Sequence, residues 1–365
     1  NLLKLAQIFN CIHFTGGYPV EPIDIHPSIR HLDCLFDLLT LTDKLVHAYS
    51  LGVERMEDAI EMVRIASGLD HETFEEAPRM FTNINSSSPL KHDWSMLDGA
   101  MRLARHNQLV IVTPFTLSGA MAPITLAGAL AQQTAECLAA LALLQVIRPG
   151  APVAYGSFTS NVDMKTGAPA FGTPEYVRAT QISGQLARRY RLPWRASNAN
   201  AANCPDPQAT WESAASLWAC SSARANIIYH AAGWMEGGLC ASFEKFVIDC
   251  EMLQQLAYYH QPVGISDEDL AVKAIQAVGP TGHFLGSEHT QARYKTAFYH
   301  PFLSDWSNFE NWEDTGALTA IQRANRIYKE ALQNYEPPPM DSATREELQA
   351  FVERRKHEGG APTDY

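Results

Sequence analysis

A polar, glycine-punctuated loop between residues 155 and 175 carries side chains that can do chemistry. Asp163, Lys165 and Thr166 supply charge and hydrogen bonds, while Gly167 permits backbone angles that other residues avoid. The loop follows a short apolar run and precedes a helical pattern, which is the arrangement in which barrel enzymes place their active side chains. We therefore predict active-site chemistry here, although an ordinary long loop would have the same features.

Short β-rich runs alternate with helical patterns on both sides of this loop. We predict seven strands, at Asn10 to Phe14, Val46 to Tyr49, Met80 to Asn85, Leu109 to Thr113, Val153 to Gly156, Trp194 to Ser197 and Ile227 to His230. We predict the intervening helices over 29–40, 55–66, 93–106, 123–147, 174–190, 207–223 and 242–260, with start signals at Pro123, Pro174, Pro207 and Ser242.

This alternation predicts an α/β fold, a (β/α)8 TIM barrel with a C-terminal helical extension. Residues 2–9 resemble the end of one more helix, so we expect the first strand to lie upstream of Asn1 and the chain to be part of a longer protein. We assign 1–261 to the barrel and 262–340, with a helix from about 317 to 335, to an extension over the barrel mouth. The remainder, 341–365, is predicted as a charged helix over 342–357 and a disordered tail.

Composition narrows the class of protein. The 365 residues are 46% hydrophobic, enough for a large core, and 28 basic against 40 acidic residues give a net charge of −12. That balance argues against a nucleic-acid or anionic-membrane surface. Seven cysteines without a Cys-x-x-Cys pair favour a reducing cytoplasm. Polar residues interrupt even the longest apolar run, 127–147, so we expect no membrane span.

Strand ends and the loops after them supply the candidate site residues. Aromatic faces there could hold a quaternary ammonium by cation-π attraction, and two acidic groups could neutralise its charge. The predicted catalytic residues are His230, Asp163 and Glu236. The predicted substrate-binding residues are Phe14, Asn83, Asn85, Phe115, Tyr155, Phe158, Phe171, Asn198, Tyr229 and Trp234. His283 and His289 flank Glu288 without a third ligand at fixed spacing, so we predict no metal site.

Several separated motifs resemble the trimethylamine:corrinoid methyltransferase family, over nearly the whole chain. They are Tyr155-Gly156, Asp163-Met164-Lys165-Thr166-Gly167, Gly172-x-Pro174-Glu175, Gln185-Leu186-Ala187-Arg188, Tyr190-x-Leu192-Pro193, Ala225-Asn226-Ile227-Ile228-Tyr229, Gly233-Trp234-Met235-Glu236, Val247-Ile248-Asp249-x-Glu251, Val278-Gly279-Pro280-x-Gly282-His283-Phe284-Leu285 and His289-Thr290.

The resemblance implies methyl transfer from a methylated amine to the cobalt(I) of a corrinoid (cobalamin) carried on a separate small protein, with no tightly bound cofactor in this chain. Trimethylamine-specific members carry pyrrolysine at the position that we match to Ile227. The chain therefore resembles the non-pyrrolysine branch, some of whose members demethylate glycine betaine. A betaine carboxylate would need a donor such as Asn83, Asn85, Asn198, His230 or Lys165. We expect a cytoplasmic homo-oligomer.

Two other functions fit parts of the pattern. A barrel lyase of the uroporphyrinogen decarboxylase type would need clustered arginines for substrate carboxylates, whereas Arg195 is the one arginine inside a predicted strand. A non-catalytic onium-binding protein would need the aromatic residues alone. Methylated cobalt, formed when the protein is mixed with a cobalt(I) corrinoid and methylated amines, would distinguish the first function from both alternatives.

Overall fold

The computed structural model describes residues 1–363 of the chain. Its strands are β1 Val46–His47, β2 Met80–Ile84, β3 Leu109–Val112, β4 Leu117–Ser118, β5 Val153–Gly156, β6 Ser160–Val162, β7 Pro169–Ala170, β8 Trp194–Ser197, β9 Ile227–Tyr229, β10 Trp234–Met235 and β11 Cys240–Ala241. Its helices are α1 Leu2–Ile8, α2 Arg30–Leu41, α3 Val53–Ser67, α4 His71–Glu75, α5 Trp94–Arg105, α6 Leu126–Ile147, α7 Pro174–Tyr190, α8 Pro207–Ser222, α9 Phe243–Tyr259, α10 Asp267–Leu270, α11 Val272–Val278, α12 Glu288–Arg293, α13 Phe309–Asp314, α14 Ala320–Gln333 and α15 Ser342–His357.

Six strands form one parallel sheet in the order β1-β2-β3-β5-β8-β9. A helix follows each of them before the next strand of the sheet, so the predicted α/β alternation is confirmed. The predicted strand at Asn10 to Phe14 is wrong. There, Phe14 makes an isolated parallel bridge to Leu45, beside the edge strand β1.

The sheet is curled, as contacts between its distant strands demonstrate. Tyr229 on β9 lies 5.7 Å from His47 on β1 and 6.2 Å from Phe81 on β2, measured between ring centroids. In a flat sheet, strands five positions apart would be separated by about 24 Å, at about 4.8 Å per strand. The inner face must therefore wrap around the side chains that it buries.

Alternation along each strand gives the sheet two buried faces. The inner layer contains Phe81, Ile111, Ala154 and Tyr229. The outer layer includes alternate strand residues such as Tyr155, which pack beneath the helices. Because both faces are buried, the strands are apolar in sequence without a clean hydrophobic-polar alternation.

Two small sheets extend the loops beyond the carboxyl ends of the strands, and the sequence did not predict them. In one, β4 pairs parallel with β6, and β6 pairs antiparallel with β7. In the other, β10 and β11 form an antiparallel ribbon. These strands are two or three residues long, too short to produce a recognisable hydrophobic period.

Capping chemistry explains where several helices begin. The Thr173 hydroxyl accepts the Tyr176 amide at the start of α7, with Pro174 in the first turn, as predicted. Asp206 caps α8 and Ser242 caps α9 in the same way. The predicted start at Pro123 is wrong by three residues, because Thr125 occupies the cap position of α6.

Helix α6 is long and apolar enough to cross a membrane, judged by length and composition alone. In this fold it packs against α5, α7, β3 and β5. Its buried polar residues have protein partners: Gln133 donates to the Tyr155 hydroxyl at 3.0 Å, and Glu136 accepts the Leu90 amide at 2.7 Å. These contacts are those of a core helix.

The C-terminal extension packs on α9. Helix α14 lies against α9 and α1, and Glu251 of α9 accepts the backbone amides of Phe302 and Leu303. The predicted position of 262–340 over the barrel mouth stays a prediction. Helix α15 is confirmed at 342–357 and packs on α2 and α3.

The tail after α15 was predicted to be disordered, and that prediction is wrong as far as residue 361. Ala361 is buried and its amide donates to the Ser28 carbonyl at 2.8 Å. One buried alanine and one backbone hydrogen bond do not change the charged composition of the segment, so the sequence could not indicate that it is ordered. The last two residues of the predicted tail lie outside the described residues.

Candidate active site

Five aromatic side chains meet beyond the carboxyl ends of the strands, and we call them the ring cluster. Phe158 stacks on Phe115 and on Phe171, each at 5.2 Å between centroids. Trp234 stacks on His230 at 4.8 Å and meets Phe171 edge-on at 5.5 Å. The sequence had placed all five among its candidates because each lies in a segment that follows a strand.

The small sheet of β4, β6 and β7 positions the three phenylalanines. Phe115 precedes β4, Phe158 precedes β6 and Phe171 follows β7. The hydroxyls of Thr116 and Thr159 hydrogen-bond to each other beside β4 and β6, which ties the two loops together. Three rings from separate loops are thereby held in one stack.

Trp234 is held from two sides through its backbone. Asn200 Nδ2 donates to the Trp234 carbonyl at 2.6 Å, and the preceding Gly233 amide donates to Asp249 Oδ2 at 2.9 Å. Asp249 is buried in α9 and is ion-paired with Lys245, whose ammonium also donates to Ser213 Oγ at 2.8 Å. Burial raises the pKa of Asp249, and the attraction of Lys245 opposes that rise.

His230 has a backbone φ of 55°, in the left-handed region that costs a residue with a Cβ about 1 kcal/mol or more. Burial lowers the pKa of His230 well below its ordinary value, and the nearby charge of Arg195 lowers it further. Its imidazole is therefore neutral at pH 7. Its Nδ1 is buried without a hydrogen-bond partner in the described structure.

Arg195 is a functional candidate that sequence reasoning set aside. It lies on β8 with 2% of its surface exposed, and its guanidinium carbon lies 4.2 Å from the Tyr229 ring centroid and 5.6 Å from that of Phe158. Nη1 donates to the Ser157 carbonyl at 3.3 Å, while Nε has no partner among the described residues. Burial lowers the pKa of Arg195 to about 10, so the side chain is still charged at pH 7.

Further polar atoms without hydrogen-bond partners lie at the same end of the sheet. Most buried polar groups in proteins are paired, and an unpaired one costs about 1–3 kcal/mol. Within residues 1–363, the unpaired atoms at or next to the strand ends include His47 Nδ1, Ser197 Oγ, Asn198 Oδ1, Asn200 Oδ1 and the Tyr229 hydroxyl. This concentration of unpaired groups is typical of a binding site rather than of a structural core.

Other predicted residues lie at or near the strand ends without being part of the ring cluster. Phe14 contacts Tyr229 at 4.9 Å, and Tyr229 in turn contacts His230 at 5.7 Å. Asn83 Oδ1 accepts the Thr113 hydroxyl at 2.6 Å, and Asn85 Nδ2 donates to the Thr113 carbonyl. Asn198 Nδ2 donates to the Ala231 carbonyl, next to His230.

Two predicted site residues, Tyr155 and Asp163, make their side-chain hydrogen bonds outside the ring cluster. The Tyr155 hydroxyl bonds Gln133 and Thr134 of α6, on the outer face of the sheet. Asp163 is partly exposed and accepts hydrogen bonds from Thr166 within its own turn, and these lower the pKa of its carboxyl. Glu236 is exposed beside β10, and its roles in catalysis and in charge neutralisation stay predictions.

Two surface hollows lie away from these residues. One is bounded by α6, β5 and Leu192, and the other by the end of α9 and Trp306. Neither hollow is lined by a charged side chain among the residues that the structure describes. The unpaired polar atoms and the aromatic stack therefore favour the strand ends as the functional site.

Comparison with known proteins agrees with the motifs. A family model described as trimethylamine methyltransferase (MTTB) matches residues 1–360. A glycine betaine methyltransferase of Desulfitobacterium hafniense (strain Y51) is 37% identical over 361 residues, covering 99% of this chain and 75% of the relative. A trimethylamine methyltransferase MttB of Desulfitobacterium hafniense (strain DSM 10664 / DCB-2) is 33% identical, covering 94% and 68% respectively.

A trimethylamine methyltransferase MttB of Methanosarcina barkeri is 31% identical over 332 residues, covering 91% of this chain and 65% of the relative. The chain thus spans between about two thirds and three quarters of the length of these three relatives.

Proposed function

Because the chain belongs to the trimethylamine methyltransferase family, we propose that it transfers a methyl group from a quaternary amine of the glycine betaine type to the cobalt(I) of a corrinoid on a partner protein. The observation that carries the proposal is the ring cluster at the strand ends. A relative named for glycine betaine, at 37% identity, supports the choice of amine.

The ring cluster suits a trimethylammonium group. Each aromatic face attracts a quaternary cation by about 0.5–2 kcal/mol. A trimethylammonium group neither donates nor accepts hydrogen bonds, so aromatic rings can enclose it without leaving polar groups unpaired. Phe158, Phe171 and Trp234 contact one another, and neutral His230 adds a fourth ring without adding charge. We propose that the methylammonium head binds among these rings.

The proposed reaction is a nucleophilic substitution at a methyl carbon. Cobalt(I) supplies the electron pair of the new cobalt–carbon bond, while the carbon–nitrogen pair stays on nitrogen, which leaves as a neutral tertiary amine. Glycine betaine would thus become dimethylglycine, and no proton moves. The work of the protein is to position the methyl group and to remove water from the cation.

His230 is the proposed catalytic side chain that lies nearest to this chemistry. A neutral imidazole stacked on Trp234 can line the methyl transfer path without repelling the substrate cation. Asp163 and Glu236 are proposed to act at the rim, where an exposed carboxylate can attract a cationic amine from solution. A general acid is not required, because the leaving amine is already neutral.

Ile227 sets the proposed amine class. Its aliphatic side chain packs in the inner layer of the sheet and offers no reactive imine to activate a tertiary amine. We therefore propose that trimethylamine is not a substrate, in contrast to the pyrrolysine-containing members of the family.

We propose that the curled sheet is part of a (β/α)8 barrel, that the corrinoid protein docks at its mouth, and that the enzyme is a cytoplasmic homo-oligomer. Six parallel strands, each followed by a helix, and the contact of β9 with β1 side chains support the barrel, and the family membership supports the corrinoid partner.

A substrate panel tests the proposed function. The purified protein is mixed with free cobalt(I) cobalamin and with glycine betaine, choline, dimethylglycine or trimethylamine, and methylcobalt absorbance is followed. We expect methylcobalt from glycine betaine and none from trimethylamine. Turnover of trimethylamine would refute the role of Ile227, and the absence of methylcobalt with every amine would refute the methyltransferase function.

A further inference from the structure

Arg195 is a buried cation without an acidic partner in the described chain. The titratable groups nearest to its charge are Tyr229, Tyr176 and Cys220, and none of them is a carboxylate. Burial raises the pKa of each, so all three are neutral at pH 7. The Tyr229 and Phe158 ring faces and one carbonyl compensate only part of the cost of removing a guanidinium from water. The group that would complete this environment is an anion.

Two neutral groups beside Arg195 can donate to the same anion. His47 Nε2 accepts the Asn83 amide at 3.2 Å, so a neutral His47 ring carries its proton on Nδ1, which is buried and unpaired. The Tyr229 hydroxyl is also buried and unpaired. His47 lies 5.7 Å from Tyr229, and Arg195 lies over the Tyr229 ring. His47 Nδ1 and the Tyr229 hydroxyl therefore offer two unpaired donors close to the Arg195 guanidinium.

Arg195 and the ring cluster contact some of the same aromatic side chains. Phe158 lies 5.6 Å from the Arg195 guanidinium carbon and also contacts Trp234 and His230. Tyr229 and His230 are consecutive, with their rings 5.7 Å apart. A ligand with a cation and an anion one methylene apart can thus contact both groups. We propose that Arg195, His47 and Tyr229 bind the carboxylate of a zwitterionic quaternary amine whose methylammonium head lies in the ring cluster.

This assignment rests on the proposed function and names Arg195 as the residue that determines which amine is bound. Arg195 would repel a bare methylammonium, because two unpaired cations in a buried site increase each other's electrostatic energy. A zwitterion removes that repulsion, because its carboxylate pairs with the guanidinium. The same residue then selects amino-acid betaines and rejects simple amines and choline.

Three ligands separate the two halves of the site. Glycine betaine has both charges, choline replaces the carboxylate with an alcohol, and 3,3-dimethylbutanoate replaces the trimethylammonium with an uncharged tert-butyl group. Calorimetry measures the binding of each to the wild type and to Arg195→Met, Arg195→Lys and Arg188→Met. Arg188 is the control, since it is exposed and donates to the Ala223 carbonyl.

We expect wild type to prefer glycine betaine to choline by about 30-fold or more, the usual effect of removing one partner of a buried charge pair. Arg195→Met should remove that preference and weaken the binding of 3,3-dimethylbutanoate by the same factor as that of glycine betaine. Arg195→Lys should restore part of the preference for glycine betaine, and Arg188→Met should leave all three affinities unchanged. Equal affinities of the wild type for betaine and choline would overturn the assignment, even if Arg195→Met does not fold. Equal loss of betaine and choline in a folded Arg195→Met would also overturn it.

The methylcobalt assay separates this inference from the function on which it rests. Methyl transfer from choline and betaine at equal rates would refute the carboxylate site and keep the methyltransferase. Arg195-dependent betaine binding with no methylcobalt would keep the carboxylate site and refute the methyltransferase.

Discussion

Trp234 is the residue at which mutation can best test the proposed cation-binding role of the ring cluster. Its indole contacts His230, Phe171 and Phe158, and its backbone is held independently by Asn200. We predict that Trp234→Leu weakens glycine betaine binding by about 2- to 30-fold, because one cation-π face contributes about 0.5–2 kcal/mol. Calorimetric titration measures the change.

Trp211→Leu is the matched control, because Trp211 lies on α8 with 60% of its surface exposed. The control should leave the dissociation constant unchanged. Equal weakening in both variants would contradict a specific role for the ring cluster.

The buried histidines predict how stability depends on pH. Burial lowers the pKa of His47 to about 3, whereas a histidine in the unfolded chain titrates near pH 6.5. Below about pH 6.5 the unfolded state therefore binds more protons, so the free energy of unfolding decreases as the pH falls. We predict a loss of about 2 kcal/mol for His47 between pH 6.5 and 5.

Chemical denaturation across this pH range measures the effect in wild type and in His47→Gln, whose pH dependence should be shallower. His283→Gln, at an exposed position, is the control. If His47→Gln and wild type lose the same free energy between pH 6.5 and 5, the buried neutral state of His47 is wrong.

Individual site residues differ in how well the sequence could predict their positions. Strand ends gave the ring cluster correctly because the end of a parallel strand is visible as a change from apolar to polar residues. The predictions for Tyr155 and Arg195 required knowing which side of the sheet each side chain faces. Both faces of the sheet are buried, so the apolar run around Tyr155 does not indicate which face each side chain occupies. That no carboxylate lies near Arg195 depends on the tertiary structure and cannot be read from the sequence.

At the scale of elements, the buried pair Lys245–Asp249 connects α9 to the Trp234 loop through the Gly233 amide. We predict that Asp249→Asn destabilises the fold by about 3–5 kcal/mol, because Lys245 is left buried without a counter-charge. The double variant Lys245→Met, Asp249→Leu should lose less, since both charges are removed. Denaturant unfolding of the single and double variants measures the difference.

Glycine betaine affinity of the folded double variant reports on the loop. Loss of the Asp249 acceptor frees the Gly233 amide, so affinity should fall even where stability recovers. Unchanged affinity would show that Asn200 alone positions Trp234.

Helices with clear start and end signals and short apolar strands were predicted well, including α7, α15, β5 and β8 at their observed bounds. The elements that shape the site were not. Strands β4, β6, β7, β10 and β11 form because loops pair with one another, and a two-residue strand has no period of its own. The loop architecture of the candidate site therefore required the structure.

At the scale of the whole molecule, the docking of a corrinoid protein predicts separable effects of charge. Lys165 is exposed in the turn closed by Asp163, next to the small sheet that carries Phe158. We predict that Lys165→Glu lowers kcat/KM about tenfold with the protein-bound corrinoid and less than about twofold with free cobalamin, because only the former needs surface contacts.

Lys329→Glu is the control for this experiment, since Lys329 is exposed on α14, which packs outside α9. Glu288→Lys tests the predicted contribution of the 279–290 segment in the same assay. Equal losses with both acceptors would refute a docking role for the altered residue.

The central claim is that a quaternary amine bound at the strand ends gives its methyl group to cobalt(I). It is tested most directly by a single-turnover reaction with glycine betaine carrying deuterated methyl groups, in which labelled methylcobalt and labelled dimethylglycine are quantified together by mass spectrometry. We expect equal amounts of the two products, with neither formed from deuterated trimethylamine. Labelled methylcobalt from trimethylamine, or consumption of glycine betaine without dimethylglycine, would contradict it.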